Sequence, residues 1–194
     1  WTWFVPHDVD GLVELMGGRD AFIGKLDSLF TADSKLEGES TSVDISGLIG
    51  QYAHGNEPSH HIAHLYNYVG QPWRTQEIVD EVLHTLYFNN PDGLSGNEDC
   101  GQMSAWYILN AMGFYQVCPG KPVYSIGRPL FNEATVHLKD GKSFKVIAHN
   151  NSRDNKYVRS IVLNGNKLET PFFTHQDIVD GGTLELTMGS EPLK

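Results

Sequence analysis

The chain has 194 residues, of which 14 are basic and 24 acidic, so its formal net charge is −10. Its apolar content of 40%, with 11% aromatic residues, is enough to bury the core of about one domain. This composition excludes a wholly disordered chain, and the acidic balance argues against nucleic acid as a partner. The sequence contains no apolar run long enough for a transmembrane helix, so no membrane span is predicted.

The charge is distributed unevenly along the chain. Residues 1–120 carry 16 acidic and 4 basic side chains, whereas residues 121–194 carry 8 acidic and 10 basic ones. We therefore predict a helical unit at 1–120 and a strand-rich unit at 121–194, joined near Cys118-Pro-Gly-Lys-Pro122. Cys100 and Cys118 are too few for a disulfide framework, and two unbridged thiols are favoured over a single bridge.

Apolar residues at helical spacing dominate the first two thirds of the chain. Asp8 is the predicted N-cap of the first helix. The predicted helices lie at 9–16, 19–30, 62–69, 75–88 and 102–112, with a polar loop at 31–47 and a short connection at 70–73. The last third alternates between apolar and polar residues instead. Its predicted strands lie at 134–138, 143–148, 158–163 and 183–188, separated by glycine-containing turns. The predicted fold class is α+β, with a run of hairpins forming a small antiparallel β-sheet or half-sandwich.

A histidine-rich segment follows the polar loop. Four of the nine histidines fall within the 11 residues from His54 to His64. One interpretation is that these imidazoles only form structural hydrogen bonds. A zinc hydrolase using His60 and His64, one helical turn apart, is a second interpretation, but the HExxH motif has His61 in place of its Glu and no third ligand follows.

Oxygen donors in the same segment favour a different metal. Asn56 and Glu57 lie between Gly55 and Pro58, and calcium takes six to eight oxygen ligands that include waters and hydroxyl groups. A second acidic segment, Asp92-Gly-Leu-Ser-Gly-Asn-Glu-Asp-Cys-Gly101, precedes the last predicted helix. The helix dipole accounts for one of its carboxylates, and another is suited to act as a general base on water.

Several ordered motifs resemble those of one enzyme family. They are Trp3-Phe-Val-Pro-His-Asp8, Gly55-Asn-Glu-Pro-Ser-His-His61, Asp92-Gly-Leu94, Gly96-Asn-Glu-Asp-Cys-Gly-Gln-Met-Ser-Ala-Trp-Tyr107, Val117-Cys-Pro-Gly120 and Ser125-Ile-Gly127. In order and approximate spacing they resemble glycoside hydrolase family 92, whose members are calcium-dependent inverting exo-α-mannosidases common in Bacteroidetes bacteria. The similarity extends over nearly the whole chain.

The resemblance implies a particular place for this chain in a larger enzyme. Family members have an N-terminal β-sandwich followed by an (α/α)6 barrel, so residues 1–120 are expected to be the last barrel helices. The family's general acid, a Glu, lies just upstream of the segment with which this chain begins. We therefore expect the upstream part of the polypeptide to be a partner, and the chain alone to lack useful mannosidase activity. Export to the periplasm or cell surface is also implied.

The resemblance also implies roles for individual residues. The base maps onto Asp99, and Asn97 occupies a position where many members carry a second Asp, so it is expected to help position the water. The implied calcium ligands are Asn56, Glu57 and Asp99.

Terminal α-linked mannose in a glycan is the implied substrate, with an α-1,2 linkage suggested by similarity. Glu57, His60 and His61 are expected to bind it. A non-catalytic sugar-binding or structural module on the last strands remains the principal alternative.

Overall fold

The computed structural model describes residues 2–36 and 45–194. The first part is helical, as predicted. Its helices are α1 (Val9–Leu15), α2 (Arg19–Thr31), α3 (Leu65–Tyr68), α4 (Pro72–Thr85) and α5 (Gln102–Met112). Asp8 caps α1 as predicted, since its carboxylate accepts a hydrogen bond of 3.0 Å from the backbone N–H of Gly11. Part of the predicted polar loop, residues 37–44, lies outside the described residues.

Two of the predicted helices differ clearly from the structure. The predicted helix at 62–69 is a 3-10 turn, Ile62–His64, that continues into the single turn of α3. α4 ends at Thr85, three residues before the predicted end, and it begins at Pro72, within the predicted connection. Proline suits this first position because its φ is preset and the N–H it lacks has no partner within the helix. Upstream, the short antiparallel strands β1 (Leu48–Ile49) and β2 (Tyr52–Ala53) lead into a 3-10 turn at Glu57–Ser59.

Strands dominate the last part of the chain. They are β3 (Phe114–Tyr115), β4 (Val123–Ile126), β5 (Glu133–His137), β6 (Ser143–His149), β7 (Tyr157–Leu163), β8 (Asn166–Lys167), β9 (Phe172–Thr174) and β10 (Gly182–Gly189), with helix α6 (His175–Val179) before β10. Five strands form a sheet in the order β5-β6-β10-β7-β8. The β5–β6 hairpin is antiparallel, as predicted, and β7 forms a second antiparallel hairpin with β8, a strand that was not predicted. β10, however, pairs in parallel with β6, because the long connection between them lets β10 return beside that strand.

A second, three-stranded sheet connects the helical and strand-rich parts. Its order is β3-β4-β9, and β3 directly follows α5. β3 and β4 pair across residues 118–122, where Phe114 is opposite Ile126. Phe114, Ile126 and Phe173 are all buried in the core of the strand-rich part. The division of the chain near residue 120 stays a prediction.

A buried ion pair also joins the two parts. The Arg128 Nε atom lies 2.9 Å from Oδ1 of Asp80 on α4, and Arg128 Nη2 donates to the carbonyl oxygen of Ser152 at 3.1 Å. Removing one member of such a pair leaves an uncompensated buried charge, so this contact holds the helices against the strands.

Two further expectations concern the whole chain. Both cysteines are free thiols, with Cys100 exposed and Cys118 buried, in agreement with the prediction. In the part of the chain that the structure describes, no helix combines the length and apolar character needed to cross a membrane.

Candidate active site

The candidate site lies where two loops meet: the histidine loop, residues 54–61, and the acidic loop, residues 92–101. They approach each other through glycines. A Cβ atom on Gly55 would lie 2.6 Å from the carbonyl oxygen of Ser95, which is closer than real side chains come. Gly96 has a φ of 88°, a left-handed backbone that favours glycine. These two positions therefore allow the loops to pack backbone against backbone.

This packing brings together two of the predicted site residues, Glu57 and Asp99. The two carboxyl groups interact electrostatically, as the pKa of Asp99 shows. The hydrogen bond with Glu57 raises the pKa of the exposed Asp99 carboxyl group, and desolvation and the negative charges of Glu57 and Glu98 raise it further. The pair thus forms a concentrated negative site that attracts a proton or a cation.

The backbone at Asp99 is unusual. Asp99, Cys100 and Gly101 have φ values of 49°, 56° and 92°, so three consecutive residues adopt the left-handed conformation immediately before α5. Side chains other than glycine rarely adopt it, and aspartate is among those that tolerate it best. Such backbone strain is commonly concentrated at functional sites, where the surrounding structure maintains it.

Glu98 has a different and structural role. Its two carboxylate oxygens accept hydrogen bonds from the backbone N–H and the hydroxyl group of Ser104, at 3.0 and 2.8 Å. Ser104 lies in the first turn of α5, so Glu98 satisfies a helix N–H that has no partner within the helix. It is the carboxylate that the helix dipole accounts for, which leaves Asp99 available for chemistry.

Asn56, next to Glu57 in the sequence, lines a cavity beside the histidine loop. The cavity has a volume of about 250 Å³, and its lining includes Trp3, Phe4, Asn56 and Pro58 but neither carboxyl residue of the pair. Asn97 is exposed in the acidic loop, and its proposed role in positioning water stays a prediction.

The two histidines predicted to bind substrate are buried and hydrogen-bonded to the protein. His60 Nε2 lies 3.0 Å from the carbonyl oxygen of His54, and His60 Nδ1 lies 3.0 Å from Nε2 of Gln102. His61 Nε2 lies 2.8 Å from the carbonyl oxygen of Trp3. Both imidazoles support the histidine loop from within, and direct contact with a sugar stays a prediction.

The geometry does not favour the zinc interpretation. Both ring nitrogens of His64 have protein partners, Ser125 Oγ at 3.0 Å and Asn110 Oδ1 at 2.9 Å, and His60 is likewise bonded at both nitrogens. Among residues 2–36 and 45–194, no three His, Cys, Asp or Glu side chains converge as metal ligands. A catalytic zinc site requires three protein ligands.

A buried hydrogen-bond network behind the site was not predicted from the sequence. His54 Nε2 lies 2.7 Å from the hydroxyl oxygen of Tyr87, which itself donates to the carbonyl oxygen of Met103 at 3.1 Å. Because the hydroxyl hydrogen of Tyr87 is used in that bond, His54 Nε2 donates to the Tyr87 oxygen. The other ring nitrogen, Nδ1, is then unprotonated and accepts from the Tyr52 hydroxyl group at 2.8 Å. Burial, with a contribution from the neighbouring His60, lowers the pKa of His54 to about 2. The network ties the histidine loop to α5 through a neutral imidazole.

Comparison with known proteins identifies the family to which these loops belong. The profile of the glycosyl hydrolase family 92 catalytic domain matches residues 1–190. The chain belongs to glycoside hydrolase family 92. The predicted resemblance is thereby confirmed, and the motifs that carried it include both loops of the candidate site.

Individual relatives of the family 92 chain are bacterial and fungal. A family GH92 α-mannosidase from Bacteroides thetaiotaomicron is 43% identical and has a TM-score of 0.90, with 98% of this chain and 25% of that one covered. A family GH92 inverting mannosidase from the same bacterium is 45% identical with a TM-score of 0.85, covering 99% and 27%. An uncharacterized secreted glycosidase from the fungus Arthroderma benhamiae is 32% identical over 97% of this chain and 23% of its own length. The family 92 chain thus spans about a quarter of the length of these relatives.

Proposed function

We propose that this chain forms part of a calcium-dependent inverting exo-α-mannosidase. The enzyme hydrolyses α-1,2 linkages and so removes terminal α-linked mannose from glycans. Family membership supports the reaction class, and the observation that carries the assignment is the Glu57–Asp99 carboxyl pair. The pair lies on the loops of the helical part and not on the last strands, which favours the enzyme over a non-catalytic sugar-binding module.

In the proposed mechanism, Asp99 is the general base. Its carboxylate takes a proton from the water that attacks the anomeric carbon, and Asn97 helps to orient that water. An acid from the rest of the family domain gives its proton to the leaving oxygen, and single displacement inverts the configuration.

Calcium fits the donor chemistry of this site. Asn56, Glu57 and Asp99 offer amide and carboxylate oxygens, the hard donors that calcium prefers. Calcium also accepts water, carbonyl and hydroxyl oxygens, so two carboxylates and one amide are a sufficient contribution from these side chains. When bound, the ion supplies positive charge that offsets the acidic pair and orders sugar hydroxyl groups.

The remaining parts of the proposal follow from the family. We take the helices of residues 1–120 to be the last helices of an (α/α)6 barrel, completed by upstream chain that supplies the general acid. Export to the periplasm or cell surface is part of the same proposal, and the fungal relative is described as secreted.

A Glu57→Gln exchange tests the calcium site. We expect it to weaken Ca²⁺ binding to the chain about tenfold or more, since the neutral amide removes one charge from the acidic pair. Isothermal titration calorimetry measures the effect. The matched control is Glu81→Gln, the same chemical change at an exposed position of α4. Equal Ca²⁺ affinities in Glu57→Gln and the unaltered chain would contradict the assignment.

A further inference from the structure

One buried imidazole of the histidine loop contacts the helix that follows the acidic loop. His60 is only 1% exposed. Its Nε2 faces the carbonyl oxygen of His54 at 3.0 Å, and its Nδ1 faces the side-chain nitrogen of Gln102 at 3.0 Å. Because a carbonyl oxygen only accepts hydrogen bonds, Nε2 carries the proton and Nδ1 accepts from the Gln102 amide. The neutral ring therefore bridges the histidine loop and the first residue of α5.

A second contact fixes the backbone of the same residue. The indole Nε1–H of Trp106, a fully buried residue of α5, donates to the carbonyl oxygen of His60 at 3.0 Å. The Trp106 ring also meets the His54 ring edge to face, with centroids 4.4 Å apart. α5 thus holds the buried His60 both by its ring and by its main chain.

His60 and Gln102 are each joined by a backbone hydrogen bond to one of the two acidic residues of the pair. The backbone N–H of His60 donates to the carbonyl oxygen of Glu57 at 3.0 Å, and that of Gln102 donates to the carbonyl oxygen of Asp99 at 3.2 Å. His60 and Gln102 therefore each lie three residues after an acidic residue, and each closes a short turn with it. A movement of His60 relative to Gln102 is transmitted through these two short turns to Glu57 and Asp99.

We propose that His60 and Gln102 are positioning residues, whose hydrogen bond sets the separation of the Glu57 and Asp99 carboxyl groups. They act from behind the site and do not touch the sugar. This role replaces the direct substrate contact expected for His60, and it gives Gln102 a part in the site. Its consequence for calcium rests on the proposed function, whereas the geometric claim stands without it.

The positioning role is tested with two variants, only one of which loses the hydrogen bond between Gln102 and His60. Gln102→Met keeps the length of the side chain and removes its donor, so the bonds to His60 and to the Tyr115 hydroxyl group, 3.2 Å away, are both lost. Tyr115→Phe removes only the second bond. We expect Gln102→Met to weaken Ca²⁺ binding about tenfold, the size of one lost hydrogen bond, and Tyr115→Phe to leave the affinity unchanged.

A double-mutant cycle separates positioning from general destabilisation. In the Glu57→Gln background, Gln102→Met should cause little further loss of Ca²⁺ affinity, because the carboxylate that it positions is already gone. Fully additive losses, or equal effects of Gln102→Met and Tyr115→Phe, would overturn the proposal.

A crystal structure of the Gln102→Met chain tests the geometry independently of calcium. We expect the Glu57 and Asp99 carboxyl groups to lie farther apart than in the unaltered chain, and an unchanged separation would overturn the positioning role. If the unaltered chain binds no Ca²⁺ but the carboxyl groups still separate in the variant, the calcium assignment fails and the positioning proposal stands.

Discussion

An Asp99→Asn exchange in the full-length enzyme is expected to lower kcat about 10²- to 10⁴-fold, the contribution typical of a general base. Asparagine cannot take the proton from water, yet it tolerates the left-handed backbone that the structure shows at this residue, with φ of 49°. The fold should therefore survive the exchange. Steady-state kinetics with an α-linked mannoside as substrate measures the loss, with circular dichroism as the check on folding.

Asp92→Asn provides the matched control for this measurement. Asp92 is exposed in the same acidic loop but lies away from the carboxyl pair in sequence. The exchange alters the net charge equally, so kcat should stay within about twofold of the unaltered enzyme if Asp99 acts through proton transfer. A normal kcat in Asp99→Asn, or equal losses in both variants, would show that Asp99 is not the base.

Acidification is expected to unfold the chain between about pH 6.5 and pH 4. Burial is the main cause that lowers the pKa values of His60 and His64 from 6.5 to about 4, and that of His54 still further. As pH falls through this window the unfolded chain binds protons that the folded chain rejects, so the free energy of unfolding decreases. His60 and His64 each account for about 3 kcal/mol by pH 4, against a typical domain stability of about 5–15 kcal/mol.

Urea denaturation at several pH values measures this effect. A His64→Gln exchange removes one buried imidazole, so the slope of unfolding free energy against pH should fall by about one proton in this window. His137→Gln, an exchange at an exposed position of β5, is the control and should leave the slope unchanged. A free energy of unfolding that stays constant from pH 7 to pH 4 would contradict the buried neutral histidines.

Much of the fold could be predicted from local patterns. The apolar period located α2 and α5 to within about a residue, because each helix packs one face against the core. Strands β1, β2, β3 and β8 escaped detection because two residues are too few to show an alternation. The parallel pairing of β6 with β10 depends on contacts distant in sequence, which a local period does not contain.

The candidate site was predictable to a smaller extent. Its acidic residues and glycines stand out as motifs, whereas the roles of Glu57 and Asp99 stay predictions. The partner of His60 could not be identified, because Gln102 looks like an ordinary first residue of a helix in the sequence. Only the three-dimensional packing of α5 against the histidine loop shows that these two side chains meet.

The most direct test of the central claim is a crystal structure of the full-length protein with Ca²⁺ and a mannose-configured inhibitor. We predict one calcium ion bound by oxygens from Asn56, Glu57 and Asp99, at about 2.3–2.6 Å, together with hydroxyl groups of the inhibitor. Asp99 should also face a water molecule below the anomeric carbon. Calcium and inhibitor bound elsewhere, with the Glu57–Asp99 pair unchanged and in contact with neither, would contradict the assignment of this pair as the active site.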